Sequence, residues 1–169
     1  LYSCDLKTNN VLLENRQLQN VYSLLSTPRG LLVGTLGGLA LRSSGGSIRR
    51  IPIGNGPQPL VNALAPDRGT HAVWIGTEGA LYRYDWRTFQ PVAPLMGNSI
   101  KSLALHGDNI YAGTDNGMFI YNKVSNHISH ALHDSRSARS IANNIVWAVF
   151  NDRWGNLWAG TDQGVSEIQ

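Results

Sequence analysis

The stretch Val146-Trp147-Ala148-Val149-Phe150-Asn151-Asp152-Arg153-Trp154-Gly155-Asn156-Leu157-Trp158-Ala159-Gly160-Thr161-Asp162-Gln163-Gly164-Val165 reads as strand, turn, strand, turn, strand. Two short apolar runs flank a polar turn built on Asp152, Gly155 and Asn156, residue types that bond their own backbone or accept positive φ. Gly160-Thr161 ends the second run, and Asp162-Gln163-Gly164 leads back into Val165. Nothing in the chain sustains a 3.6-residue apolar period beyond two turns, so short strands are the reading.

Working outward, the same phrase recurs three times upstream. Gly-Thr stands at Gly34-Thr35, Gly76-Thr77, Gly113-Thr114 and Gly160-Thr161, about 42 residues apart on average, a spacing typical of propeller blades. Each pair follows an apolar run: Leu31-Leu32-Val33, Val73-Trp74-Ile75, Ile110-Tyr111-Ala112 and Leu157-Trp158-Ala159. Further upstream lies a strand of pattern apolar-x-small-apolar: Val21-Tyr22-Ser23-Leu24, Val61-Asn62-Ala63-Leu64, Ile100-Lys101-Ser102-Leu103 and Val146-Trp147-Ala148-Val149. β-Prone segments such as Met118-Phe119-Ile120-Tyr121, and a segment from Ile128 onward, complete about four strands per unit. The expected fold is all-β: a β-propeller segment of about four blades with four-stranded antiparallel blades. A β-sandwich with coincidental turns is the competing architecture. The units run approximately 1–18 (partial blade), 19–57, 58–96, 97–140 and 141–169 (partial blade). Leu1 to Asp5 is expected as the third strand of an earlier blade, Val165 to Gln169 as the third strand of the last, and the Ser-rich stretch 134–144 as an enlarged loop.

Composition bounds the rest. The 169 residues carry a formal charge of +3, with 15% charged residues and 18 glycines; low charge argues against disorder and abundant glycine for many turns. So small a surplus specifies no polyanion, and no nucleic-acid or membrane contact is expected of this segment. No apolar run approaches the ~20 residues of a membrane-spanning helix. Cys4 is the single cysteine, which excludes an internal disulfide. It is expected as a buried or half-exposed thiol. The chain opens without an initiator methionine and is expected to be cut from a longer protein or processed at its start.

The final copy, from Asn144 to Val165, resembles the two-component regulator propeller repeat, whose pattern runs V-x-S-I-x-x-D-x-x-G-N-L-W-I-G-T-x-x-G-L. The first three copies depart from it: Leu32 and Tyr111 replace the tryptophan of the first and third, and Ala80 the turn glycine of the second. The resemblance implies a larger propeller of about seven blades. It also implies the periplasmic, extracytoplasmic sensor region of a hybrid two-component system of the kind common in polysaccharide-degrading Bacteroidetes, with any histidine kinase outside this segment.

Residues able to carry chemistry are few. Trp74 and Trp158 sit within strands and are expected to pack between blades; Trp154 lies in a turn, open to a partner or ligand, and Trp147 is undetermined. Asp152, Gly155 and Trp158 have the spacing of the Asp-box of sialidase propellers, a structural turn there. His127, His130 and His133 are three apart; on a strand they alternate faces and do not converge on a metal. No paired carboxylates, phosphate loop or nucleophile–base signature is legible. No catalytic residue, cofactor or metal is therefore expected, and a propeller lyase or hydrolase is the weakest of the open readings.

What remains is a ligand face. In a propeller, the turns between the two middle strands and the loops linking blades gather on one side. Here they carry Asn20, Glu78, Asn98, Ser99, Asp115, Asn116, Asn143, Asn144, Asp162 and Gln163. Amides and carboxylates suit hydroxyl-rich ligands, although Asn and Asp also occupy such turns for backbone reasons. The expected role is non-catalytic sensing of an oligosaccharide or other small molecule. A homodimer or the remaining blades of the parent propeller are the protein partners expected, and a secreted or periplasmic interaction scaffold is the alternative.

Overall fold

The computed structural model describes residues 1–8, 10–13, 18 and 20–168. The expected 1–18 unit and the end of the last strand at Gln169 therefore lie partly outside the described residues. The chain forms two compact units, Leu1–Val61 and Asn62–Gln169.

In the first unit β1 (Tyr2–Asp5) and β2 (Asn10–Leu13) form an antiparallel pair. A four-stranded meander follows: β3 (Val21–Thr27), β4 (Gly30–Thr35), β5 (Gly38–Arg42) and β6 (Ile48–Ile51). Leu18, Val33 and Ala40 form its buried core, with Leu1, Val21, Leu31 and Ile48 packed against them. Cys4 is exposed, which corrects the expectation of a sheltered thiol: among the described residues β1 is hydrogen-bonded to β2 alone.

The second unit holds three successive meanders, with β7 (Val61–Pro66) beginning at the boundary. β7, β8 (Val73–Thr77), β9 (Leu81–Tyr84) and β10 (Phe89–Pro91) make one sheet. β11 (Ile100–His106), β12 (Asn109–Thr114), β13 (Gly117–Asn122) and β14 (Ile128–Ala131) make the next. β15 (Val146–Asn151), β16 (Leu157–Thr161) and β17 (Gly164–Ile168) make a three-stranded third. A single 3-10 turn, Ala93–Leu95, seats Leu95 in the core before β11. Residues 132–145 contain no strand.

These sheets bury their faces against one another, not each in a core of its own. Trp74, Leu81 and Leu95 from the first meander share a cluster with Ile100, Ile110 and Ala112 of the second. Trp74, 2% exposed, meets Tyr121 edge-on at 6.0 Å. Met118 and Ala104 of the second meander likewise pack with Val146, Val149 and Ala159 of the third. Side chains of this size stabilise by about 1.5–3 kcal/mol each when fully buried.

Packing of sheet on sheet explains the repeated Gly-Thr. A Cβ at Gly76 would lie 2.6 Å from Ile100 Cγ2, and one at Gly113 2.9 Å from Val146 Cγ1. Gly34 has the same relation to Val61, at 2.7 Å. Each glycine thus leaves room for the first residue of the next inner strand. The threonine closes the turn that follows: Oγ1 of Thr35, Thr77, Thr114 and Thr161 donates to the carbonyl three residues on, at 2.8–3.0 Å.

An ion pair ties two meanders together. Asp67, 3% exposed, accepts from Lys123 Nζ at 2.7 Å and from Thr70 Oγ1 at 3.0 Å, with Arg83 Nε 3.7 Å away. Burial, the largest single influence, opposes its charge. The hydrogen bonds from Lys123 and Thr70, the lysine's charge and the Gly69 amide together still hold the carboxyl below the usual carboxylate range. Asp152, in the corresponding turn of the third meander, instead accepts Trp158 Nε1 at 3.1 Å, Asn156 Nδ2, and the amides of Trp154 and Asn156. The Asp-box is therefore a structural turn here, and half-buried Trp158 is fixed by its own turn. With Asp67 engaged elsewhere, Trp74 Nε1 has no hydrogen-bond partner among the described residues.

Candidate functional site

In three of the meanders the first strand pairs with the second through one irregularity. The register of β11 on β12 shifts between Ile100 and Ser102, and that of β15 on β16 between Val146 and Ala148. In the first unit β3 shifts on β4 between Val21 and Ser23. One residue is therefore extra each time: Lys101, Trp147 and Tyr22. A bulge of this kind re-aims its residue out of the regular in–out alternation. The extra residue is the variable x of apolar-x-small-apolar, flanked by the apolar residue that packs on the neighbouring glycine.

In the second unit these bulged side chains meet the turns between the middle strands. Lys101 Nζ pairs with Asp115 Oδ1 at 2.9 Å and lies 4.3 Å from the centre of the Trp147 ring. Trp147 Nε1 donates to Asp162 Oδ1 at 2.6 Å. Asp115 and Asp162 occupy the same place in successive turns, one residue after the turn-closing threonine. The result is a continuous array, Asp115–Lys101–Trp147–Asp162, running across two adjacent meanders. Trp147 remains 55% exposed although an ammonium covers part of its ring and a carboxylate holds its edge. The ring is oriented in advance of any ligand, which removes an ordering cost from binding. A fixed indole can stack on the C–H face of a sugar while the carboxylates beside it accept from the sugar's hydroxyls.

The loops expected to gather do meet through the backbone. The Gly97 amide donates to Gly79 O, the Gly117 amide to Asn144 O, and the Asp162 amide to Ile145 O; in the first unit the Leu36 amide donates to Asn20 O. Among the expected residues, Asp115 and Asp162 are brought into one array. Asn143 and Asn144 have their Oδ1 atoms engaged by the amides of Ile145 and His133. Asn116 and Gln163 donate backbone N–H to Thr114 and Thr161, and Asn116 O is capped by His130 Nε2. Glu78 is exposed in its turn, while Asn98 and Ser99 are half-buried in the loop before β11. Asn20, at φ 50°, belongs to the first unit.

The three histidines separate. His130 alone is on a strand, stacked on Phe119 at 4.0 Å; His127 is in the preceding turn, and His133 Nδ1 meets Ile141 O at 2.8 Å. Among the described residues no group of three His, Cys, Asp or Glu is placed to hold a metal. Trp154 is 72% exposed with the Arg153 guanidinium 4.1 Å over its ring. Lys101 and Trp147 were not among the expected site residues. Their signal was the single unconstrained position inside an otherwise constant strand pattern.

Comparison with known proteins agrees with this architecture. Residues 140–163 match the family model described as two component regulator propeller. The chain is similar over 99% of its length to the extracellular domain assigned to the hybrid two component system BT4673 of B. thetaiotaomicron, at 34% identity and TM-score 0.88, covering 24% of that chain. The extracellular domain assigned to the system BT3049 of the same organism aligns over 99% of the chain and 23% of its own length, at 20% identity and TM-score 0.79. A computationally designed protein, Ika4, aligns over 94% of this chain and 96% of its own, at 20% identity and TM-score 0.62. The last two likenesses concern fold alone. No curated protein sequence matches the chain. The chain spans about a quarter of the length of the BT4673 and BT3049 domains. Its blades, its turn-closing threonines and its matched repeat make it a β-propeller segment that carries a repeat of the two component regulator propeller type.

Proposed function

We propose that the chain is part of the extracytoplasmic sensor region of a two-component signalling protein, and that it binds an oligosaccharide without chemistry of its own. The likeness to extracellular domains of B. thetaiotaomicron signalling systems supports the location and the sensing role. The observation that carries the ligand reading is Trp147, half-exposed yet held by Lys101 and Asp162. A ligand seated there touches side chains from two blades at once. Signalling then follows if one arrangement of the receptor binds the glycan better than the other, since a ligand shifts an equilibrium only by differential affinity. Kinase and DNA-binding parts belong to other segments of such a protein.

The test is calorimetric titration of the chain with a panel of plant and host oligosaccharides, beside Trp147→Ala. Binding that falls at least tenfold in the variant is the expected result. Absence of heat with every glycan, or affinity indifferent to Trp147, overturns the assignment of the site.

A further inference from the structure

Resting on that reading of the Trp147 face, we propose that the site selects uncharged glycans over acidic ones, with Asp162 as the specificity-determining residue. The argument is one of charge compensation. The array contains two carboxylates and one ammonium, and the ammonium is committed: Lys101 Nζ is 2.9 Å from Asp115 Oδ1. Lys101 is also largely covered, with 16% of its side chain exposed against 56% for Asp115. Asp162, by contrast, receives the neutral indole N–H of Trp147, and no cation within salt-bridge distance of it is found among the described residues. Its negative charge stands uncompensated at the edge of the aromatic platform. Hydroxyl groups of a neutral sugar donate to such a carboxylate, and a charge-assisted hydrogen bond is stronger than a neutral one. A uronate or sulfate in the same place meets like charge instead. At about 6 Å and an effective dielectric constant near 40, the repulsion corresponds to roughly tenfold in affinity. It fades once the screening length falls below that separation, at about 0.25 M salt, and is largely gone near 1 M, where that length is ~3 Å.

The residue offers a clean perturbation. Asp162→Asn retains an Oδ1 acceptor for Trp147 Nε1 and removes the charge. The experiment is an array of neutral galactan, arabinan, xylan and mannan oligomers beside oligogalacturonates and sulfated glycosaminoglycan oligomers, probed with the full chain at low and at high salt. Neutral glycans alone are expected to be retained at low salt. Asp162→Asn is expected to gain about tenfold for acidic oligomers and to weaken neutral ones, which lose the charge-assisted bond, and the gain for acidic oligomers shrinks at high salt. Retention of an acidic oligomer by the unmodified chain as tightly as any neutral one overturns the selectivity and leaves the binding site standing. So does an equal effect of Asp162→Asn on both classes. Retention of no glycan removes the binding reading itself, and this inference with it.

Discussion

Replacing the glycine of the Gly-Thr pair by alanine isolates what that residue does for the fold. At Gly113 the added methyl would sit 2.7 Å from Ser102 Oγ and 2.9 Å from both Val146 Cγ1 and Val146 O. A backbone carbonyl cannot swing aside as a side-chain tip can. At Gly76 it would sit 2.6 Å from Ile100 Cγ2 and 3.2 Å from Ala63 Cβ, wedged between its own sheet and the next. Overpacking of this kind costs about 1–3 kcal/mol. None of these glycines has a left-handed φ, so alanine also restricts the unfolded chain and recovers about 0.4–1 kcal/mol. Gly160 is the internal control: the atoms closest to its added methyl are Ala148 Cβ at 3.7 Å and Ala148 O at 3.8 Å, ordinary contact. Only the recovery applies there.

The expected outcome is Gly113→Ala and Gly76→Ala destabilised by about 1–2 kcal/mol, with Gly160→Ala neutral or slightly stabilised. For a chain of this size that separates the melting temperatures by roughly 4–8 °C. Urea titrations with a common m-value and scanning calorimetry measure both quantities. In the pair Gly76→Ala with Ile100→Ala the methyl's main obstacle is gone, so the double variant should cost about 1 kcal/mol less than the sum of the singles. Three variants melting together, or Gly160→Ala as the worst of them, would refute the account of these glycines as seats for the neighbouring sheet.

The Asp67–Lys123 pair should make stability depend on pH in one direction. The carboxyl is held low in the folded state, so its contribution is present above the unfolded value near 3.9 and is lost as pH falls through the folded one. Lys123→Met should therefore cost about 2 kcal/mol near pH 7, with Arg83 as residual partner, and converge on the unmodified chain in acid; urea midpoints from pH 2 to 7 report this. Thr114→Val removes the buried Oγ1 bond to Gly117 O and the acceptor for the Asn116 amide, an expected loss of about 1–2 kcal/mol by thermal melt. Thr161→Val, at a half-buried position, should lose less. Asp152→Ala frees Trp158 Nε1 from its acceptor, and the near-ultraviolet circular dichroism of the indole should weaken while the far-ultraviolet spectrum keeps its strand signature.

The strand-level architecture was legible because the constraints that set it are local. Thr35, Thr77, Thr114 and Thr161 close their turns with their own hydroxyls, so each copy announces itself whatever its neighbours are. Which blade buries its tryptophan was not legible in the same way. Trp74 and Trp158 occupy equivalent positions, yet Trp74 is enclosed by Leu95, Ile100 and Tyr121 from other elements, while Trp158 is tied to its own Asp152. The exposure of Cys4 likewise depends on what lies beside β1, and its own segment carries no sign of that. The candidate site divides along the same line. Asp115 and Asp162 could be named because turn position is written in the repeat. Lys101 and Trp147 stand out in the sequence only as the unconstrained position of their strand pattern; the bulge that aims them at the turns arises where two strands fail to keep register, and neither strand shows that alone.

The same division bears on how the proposed ligand face can vary. In apolar-x-small-apolar the outer positions are committed: Ile100 and Val146 fill the hollows over Gly76 and Gly113, and any larger or polar replacement meets a sheet face with no room. The bulge takes x out of the packed layer and delivers it to the turns of its own and the neighbouring blade. A change there leaves the seat of Ile100 or Val146 untouched, since those residues pack through their own side chains. Lys, Trp and Tyr are accordingly all accommodated at this position in one chain, as Lys101, Trp147 and Tyr22. The blades can therefore remain fixed while the bulge residues of the proposed ligand face change, and on that reading exchange of Trp147 and Lys101 should alter what is bound far more than how stably the chain folds.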